Sequence, residues 1–166
     1  MSSAAFPYDT LGPIEGYRVW RMDDDRLFSF SRDAPWPVQR PMVARCLGDG
    51  EDRRAPHPSC RCGIYAARDL GLLCPTIAMG TLRDWGMVFG GAIVVGTARL
   101  WGRVYEHERG WRSELAYPTA IFSLPVSAQT APRIERLLEA YAIVLRPAPP
   151  ALARLCGPTS ADGPLS

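Results

Sequence analysis

The chain contains no lysine: all 19 of its Lys+Arg side chains are arginine. Any anion it holds meets planar guanidinium forks, which suit bidentate contact with carboxylate or phosphate. Excess charge is nearly absent as well. Nineteen cations against 17 carboxylates leave a formal charge of +2, which excludes a polyanion binder working through bulk charge and leaves room only for a local basic groove. The apolar stretch 85–98, broken by Gly86, Gly90, Gly91 and Gly96, is far shorter than the roughly 20 residues a spanning helix needs, so no membrane partner is expected. The opening MSSAAFPYDTLGP has neither the positive region nor the apolar region of a secretory signal, and predicts a cytoplasmic location. There is no internal repeat.

What remains is the composition of a globular chain of 166 residues, 47% hydrophobic and 22% charged, long enough for one good core. The pattern predicts an N-terminal tail over 1–13, one α+β domain over 14–146 and a flexible Pro/Ala/Gly/Ser-rich tail over 147–166. Within the domain, GYRVW and RLFSF alternate polar and apolar residues around Asp23, Asp24 and Asp25, the signature of a hairpin. Flanking prolines place Trp36 on a connection, where an exposed edge position is open to it. Residues 62–66 read as a short buried strand and 67–85 as one or two short helices. The clearest strand is 92–104, with Arg99, Trp101 and Arg103 on one face; Gly96 and Gly102 on the other mark close packing or a bend. Glu106 to Gly110 reads as a charged turn and Trp111 to Ala116 as a returning strand that Tyr117-Pro118 ends. Pro132 opens a helix to Ala142 with Ile134, Leu137, Leu138 and Tyr141 as its buried stripe. Ile143 to Leu145 can add a last strand.

Five cysteines are an odd number, and three of them crowd with a histidine: Cys46, then His57, Cys60 and Cys62 in the order His-Pro-Ser-Cys-Arg-Cys-Gly. Thiolate and imidazole suit tetrahedral zinc, and four such groups in loop 46–62 can close a structural site with no position left for water. The following glycine lets the backbone curl so that amides point at sulfur. Two other readings stay open: buried cysteines packing as small hydrophobes, and a reactive thiol at Cys60 or Cys62 with His57 as its base. Cys74 and Cys156 fall outside the cluster. A second set interleaves Trp20, Trp36, Trp101, Trp111 and Tyr117 with Arg99, Arg103, Arg109 and Arg112. It predicts either a stacking surface for a base, flanked by guanidinium groups, or ordinary strand packing with arginines paired to Glu106, Glu108 and Glu114.

The order CGIYAA, a helical stretch, GGAIVVGTARLWGRV, a charged loop and WRSELAYPTAIFSLPV resembles the PUA-like superfamily, its ASCH and EVE branches in particular. Tyr65, Ala66 and Arg68 fall at the family's strand-to-helix Ala-x-Arg position, and Gly91, Ala92, Ile93, Val94 and Gly96 at its Gly-Ala-Ile-Val-Gly strand, with one extra valine. The resemblance covers about Gly63 to Val126; the Cys/His loop before it is not a family feature. The chain is also similar to uncharacterised actinobacterial proteins. What the PUA-like resemblance implies is a small curved mixed sheet or partly open β-barrel with a few short helices, whose cleft accepts RNA or a modified nucleobase. The resulting expectation is a noncatalytic, zinc-stabilised binding module. In it Trp36 and Trp101 stack on a base while Arg68, Arg99 and Arg103 contact phosphate or a base edge. The alternatives are a protein-interaction module braced by zinc and, third, a thiol- or zinc-dependent enzyme.

Overall fold

The computed structural model describes residues 12–30, 34–46, 53–75, 77, 92–124 and 128–156. The predicted N-terminal tail lies almost wholly outside them, as do residues 76 and 78–85 of the helical reading of 67–85, and residues 157–166. Strands dominate: β1 (Ile14–Asp23), β2 (Arg26–Ser29), β3 (Met42–Val43), β4 (Ile64–Ala67), β5 (Ala92–His107), β6 (Gly110–Ser123) and β7 (Val144–Pro147). With them stand helices α1 (Ala131–Tyr141) and α2 (Pro150–Cys156) and a 3-10 turn at Leu70–Leu73. The fold is mixed α+β around one curved seven-stranded sheet. No helix among the described residues is long and apolar enough to cross a membrane.

β1 and β2 form the predicted hairpin, Asp23 opposite Arg26. Its two turn residues, Asp24 and Asp25, both take positive φ (41° and 62°), the backbone a tight two-residue hairpin needs and aspartate tolerates. β1 pairs antiparallel with β5 from Ile14–Leu100 to Met22–Ala92, β5 with β6, β6 with β4, and β4 returns to β1 through Tyr17 opposite Ala67. The narrow approach of these ladders explains Gly96: a Cβ there would sit 2.0 Å from the Ala120 carbonyl oxygen. β7 joins β6 in parallel, as the predicted last strand.

Two bulges interrupt the β5–β6 ladder, one between Thr97 and Ala98 and one between Trp101 and Val104. At the first, Ala98 faces Pro118 while Thr97 faces Ala120, so Thr119 is the extra residue. β6 therefore does not end at Tyr117-Pro118: a proline without an N–H is tolerated where the ladder is already broken. The turn also shortens, because β5 runs through His107 and only Glu108 and Arg109 separate it from Gly110.

Alternation along β1 sends residues to two cores. Trp20 and Met22 join Leu27, Trp36, Val94, Leu100, Ile121, Leu137 and Tyr141 in the larger one, which α1 caps through the predicted Leu137 and Tyr141. Val19 joins Leu70, Ile77, Val95, Phe122 and Leu152 in the smaller. Leu152 is fully buried, so residues 147–156 of the predicted tail are not free: β7 continues to Pro147 and α2 packs the far face of the sheet.

Candidate metal centre and neighbouring cavities

The sulfurs of Cys46, Cys60 and Cys62 all lie within 4.8 Å of one another, with Cys46 and Cys60 at 3.3 Å and Cys60 and Cys62 at 2.6 Å. That span brackets the sulfur–sulfur edge of about 3.8 Å set by tetrahedral zinc–thiolate bonds of about 2.3 Å. Backbone amides point at two of these sulfurs: His57 N donates to Cys62 Sγ at 3.2 Å and Cys62 N to Cys60 Sγ at 3.3 Å. Gly63 makes the curl possible. Its φ is +128°, and a Cβ would meet Arg112 and Pro56 at 3.1 Å each. Arg112, buried in β6, clamps the loop by donating to the carbonyls of Cys60 and Cys62. Hydrogen bonds from Cys62, side chain first and then backbone, hold the Cys60 thiol down to about 7. Burial first, and then Cys60 itself, pushes Cys62 up to about 11. Three close sulfurs of this kind can hold a metal ion.

His57 is not the fourth member of the cluster. Its Nδ1 is engaged by Ser59, accepting from the backbone N at 3.2 Å and lying 2.8 Å from the hydroxyl, and only the three cysteines converge. The reason is local: His57 contributes its backbone amide to Cys62 while the adjacent turn, closed by Cys60 N donating to His57 O, directs the ring to Ser59. The predicted four-ligand site thus becomes a three-sulfur site. Among the described residues no carboxylate or imidazole joins it. Cys74 lies apart, its sulfur directed at the Leu70 carbonyl.

The predicted stacking set is divided. Trp36 is 1% exposed: its indole meets Trp20 edge-on at 5.6 Å, its Nε1 donates to Ser29 Oγ and its carbonyl accepts from Tyr141. It is a core residue: its segment bridges to β2 through Phe28 opposite Pro35, with Trp36 N donating to the Leu27 carbonyl, and the indole turns inward against Trp20. Arg68 is paired with Glu106 at 2.6 Å and sits over the Trp111 ring. Arg103 leaves the face of Arg99 and Trp101 because the bulge at Gly102 (φ +74°) breaks the alternation; its amide donates to the Glu114 carboxylate.

Arg99 and Trp101 do come together, on the wall of an open cavity of about 950 Å³ with Arg40, Tyr117 and Arg146. Glu15, the one carboxylate lining it among the described residues, is engaged by Arg146 at 3.1 Å and Thr119 at 3.3 Å. A larger groove of about 1090 Å³ runs along β1, β3 and β4 and is lined by Arg18, Arg45, Arg61, Arg109 and His107. Of these, Arg109 belongs to the sequence-derived aromatic and arginine set. Arg45 and Arg61 carry a signal that was legible but unread, since one precedes Cys46 and the other separates Cys60 from Cys62. Arg18 carries none, because an arginine in an alternating strand reads as a solvated face. Comparison of the chain with protein-family models, with curated proteins and with solved structures finds no match.

Proposed function

We propose that the chain is a noncatalytic binding module for RNA or a nucleobase, with a zinc held by Cys46, Cys60 and Cys62 that braces the loop and keeps its fourth coordination position for a water or a further ligand. The observation that carries the reading is the convergence of Arg99 and Trp101 with Tyr117 on one open cavity. A half-buried indole supplies a stacking face and the phenol a second ring. Arg99, Gln39 and Thr119 supply donors and acceptors for a base edge. The resemblance to the PUA-like superfamily supports the same ligand class. Zinc fits the donor set, since three soft thiolates with amide support select it over hard oxygen-seeking cations.

The test is fluorescence anisotropy with labelled single-stranded RNA, beside native mass spectrometry before and after a chelator. Expected results are one zinc per chain, affinity that falls as salt rises, and a loss of about 1–3 kcal/mol in Trp101→Ala. Absent or salt-insensitive binding, or unchanged affinity in that variant, overturns the base-binding reading. A protein that co-purifies after nuclease treatment would replace it with the protein-interaction reading, for which exposed Val144 and Leu145 on β7 are the available apolar surface.

A further inference from the structure

The larger groove holds a cation that the fold leaves uncompensated. Arg18 Nη1 donates to the Tyr65 carbonyl and its guanidinium lies 4.9 Å over the Trp36 ring, yet its Nε is buried with no hydrogen-bond partner. Among the described residues no carboxylate pairs with it, and none lines the groove. Desolvation alone lowers the Arg18 pKa, to about 10, which still leaves it charged at neutral pH. A charge taken from water without an opposite charge is costly, and folds rarely retain one unless something supplies the counter-charge.

The rest of the lining points the same way. Arg45, Arg61 and Arg109 are exposed around the groove. Arg109 uses one nitrogen on the Leu72 carbonyl. His107 accepts the Arg109 amide at Nδ1, which leaves a neutral imidazole with its proton on Nε2, and that atom is buried without a partner. Four guanidinium groups and one imidazole N–H offer more donors than the two oxygens of a carboxylate can use. A phosphate group brings three terminal oxygens and up to two charges.

We propose that this groove is an anion site that takes a phosphate group, with Arg18 at its floor, Arg45, Arg61 and Arg109 around it and His107 as a neutral donor. The site is separate from the Arg99–Trp101 cavity and does not rest on the base-binding reading. The count of oxygens and charges fits a terminal phosphate, as in a monoester; a diester, with two terminal oxygens and one charge, is the alternative that the assay separates.

The experiment is isothermal titration calorimetry of the full chain with three probes: inorganic phosphate, adenosine monophosphate, and an RNA oligonucleotide bearing a 5′-hydroxyl. Inorganic phosphate carries no base, so its binding does not need the Trp101 ring, and the Arg18 and Arg61 variants assign it to this groove instead of to Arg40, Arg99 and Arg146 of the other cavity. Binding of phosphate and the mononucleotide alone assigns a monoester site, and binding of the oligonucleotide extends it to diesters. Arg18→Met should weaken binding by roughly tenfold or more, the effect of losing a charge-assisted hydrogen bond. If Arg18→Met does not fold, as judged by circular dichroism, the exposed Arg61→Gln decides the matter with an expected severalfold loss. The proposal is overturned if none of the three probes binds at millimolar concentration, or if the folded variants bind as tightly as the wild type.

Discussion

With the proposed metal bound at the cysteine cluster, removing it should destabilise the chain without unfolding it, and the structure sets the size of the effect. Cys46 and Cys60 belong to neither buried cluster, and Cys62 touches the core only at its edge, 9% exposed. The larger core is instead closed by Trp20, Trp36, Leu137 and Tyr141, none of which needs the loop. What the metal adds is a cross-link over the span Cys46–Cys62. Closing a loop of about 15 residues reduces unfolded-chain entropy by the equivalent of about 3 kcal/mol. For a domain of this size about 1 kcal/mol shifts the melting temperature by roughly 2–4 °C, so chelation should lower it by roughly 6–12 °C. The assay is thermal unfolding by circular dichroism with and without chelator, metal release being measured in the same samples, and Cys60→Ser run in parallel. The far-UV spectrum at 25 °C should be unchanged and the transition should stay single. Collapse of that spectrum on chelation would refute the reasoning by making the metal the organiser of the core; an unmoved transition with metal fully released would refute the cross-link.

Tyr141→Phe removes a hydroxyl that donates to the Trp36 carbonyl at 2.7 Å and accepts from Leu27 N at 3.2 Å. Each buried group left unpaired costs about 1–3 kcal/mol, so urea unfolding should show a loss near 3 kcal/mol at constant slope; a loss under about 0.5 kcal/mol would mean water replaces the hydroxyl. Gly96→Ala places a methyl 2.0 Å from the Ala120 oxygen, 2.9 Å from its carbonyl carbon and 3.0 Å from Ile121 Cα. All three are backbone atoms, so the β5–β6 ladder must part, and the loss should reach the upper end of about 1–3 kcal/mol; wild-type stability would show that the ladder yields freely there. For His107, burial first, and then Arg112, Arg68 and Arg109, lower the imidazole pKa from 6.5 in the folded chain against the opposing pull of the Trp111 backbone. The unfolded chain then binds more protons as pH falls through 6.5, so this contribution to stability is intact above that pH and declines below it, toward the folded value. His107→Gln should flatten the stability profile below pH 6.5, and an unaltered slope there would exclude His107 as its source.

Much of the strand framework was legible because it rests on local rules. The alternation of GYRVW and RLFSF around three aspartates specified β1, β2 and their turn, and Pro132 with the Ile134, Leu137, Leu138 and Tyr141 stripe specified α1. The failures share one physical origin, the dependence of a residue's role on chain far away in sequence. Pro118 read as a break, but it sits at a bulge defined by the partner strand, whereas the bend read at Gly102 does fall at a bulge. Leu152 read as part of a tail because seven helical residues carry little periodicity; its burial is decided by Val19, Val95 and Phe122 on the far face of the sheet.

The site divides along the same line. Cys46, Cys60 and Cys62 were legible because sulfur is scarce and their spacing is short, and Gly63 follows from the backbone that spacing requires. His57 was misassigned because ligand spacing fixes only which residues can reach an ion, while the partner at each ring nitrogen is set by the turn, and here that partner is Ser59. Trp36 and Arg18 show how one contact can exchange the meaning of two residues. Sequence marks the tryptophan as the exposed stacking ring and the arginine as solvated surface; the structure buries the indole against Trp20 and lays the guanidinium over its face. The buried aromatic ring gives that half-buried cation a partial partner through its quadrupole, worth about 0.5–2 kcal/mol, while its Nε keeps no hydrogen-bond partner, which leaves its donors short of acceptors. The shortfall is what an anion in the groove would supply, and the groove is bordered by the segments the cysteines tie together, Arg45 beside Cys46 and Arg61 between Cys60 and Cys62. A metal in the cluster would therefore order two of the three arginines that line the groove beside Arg18.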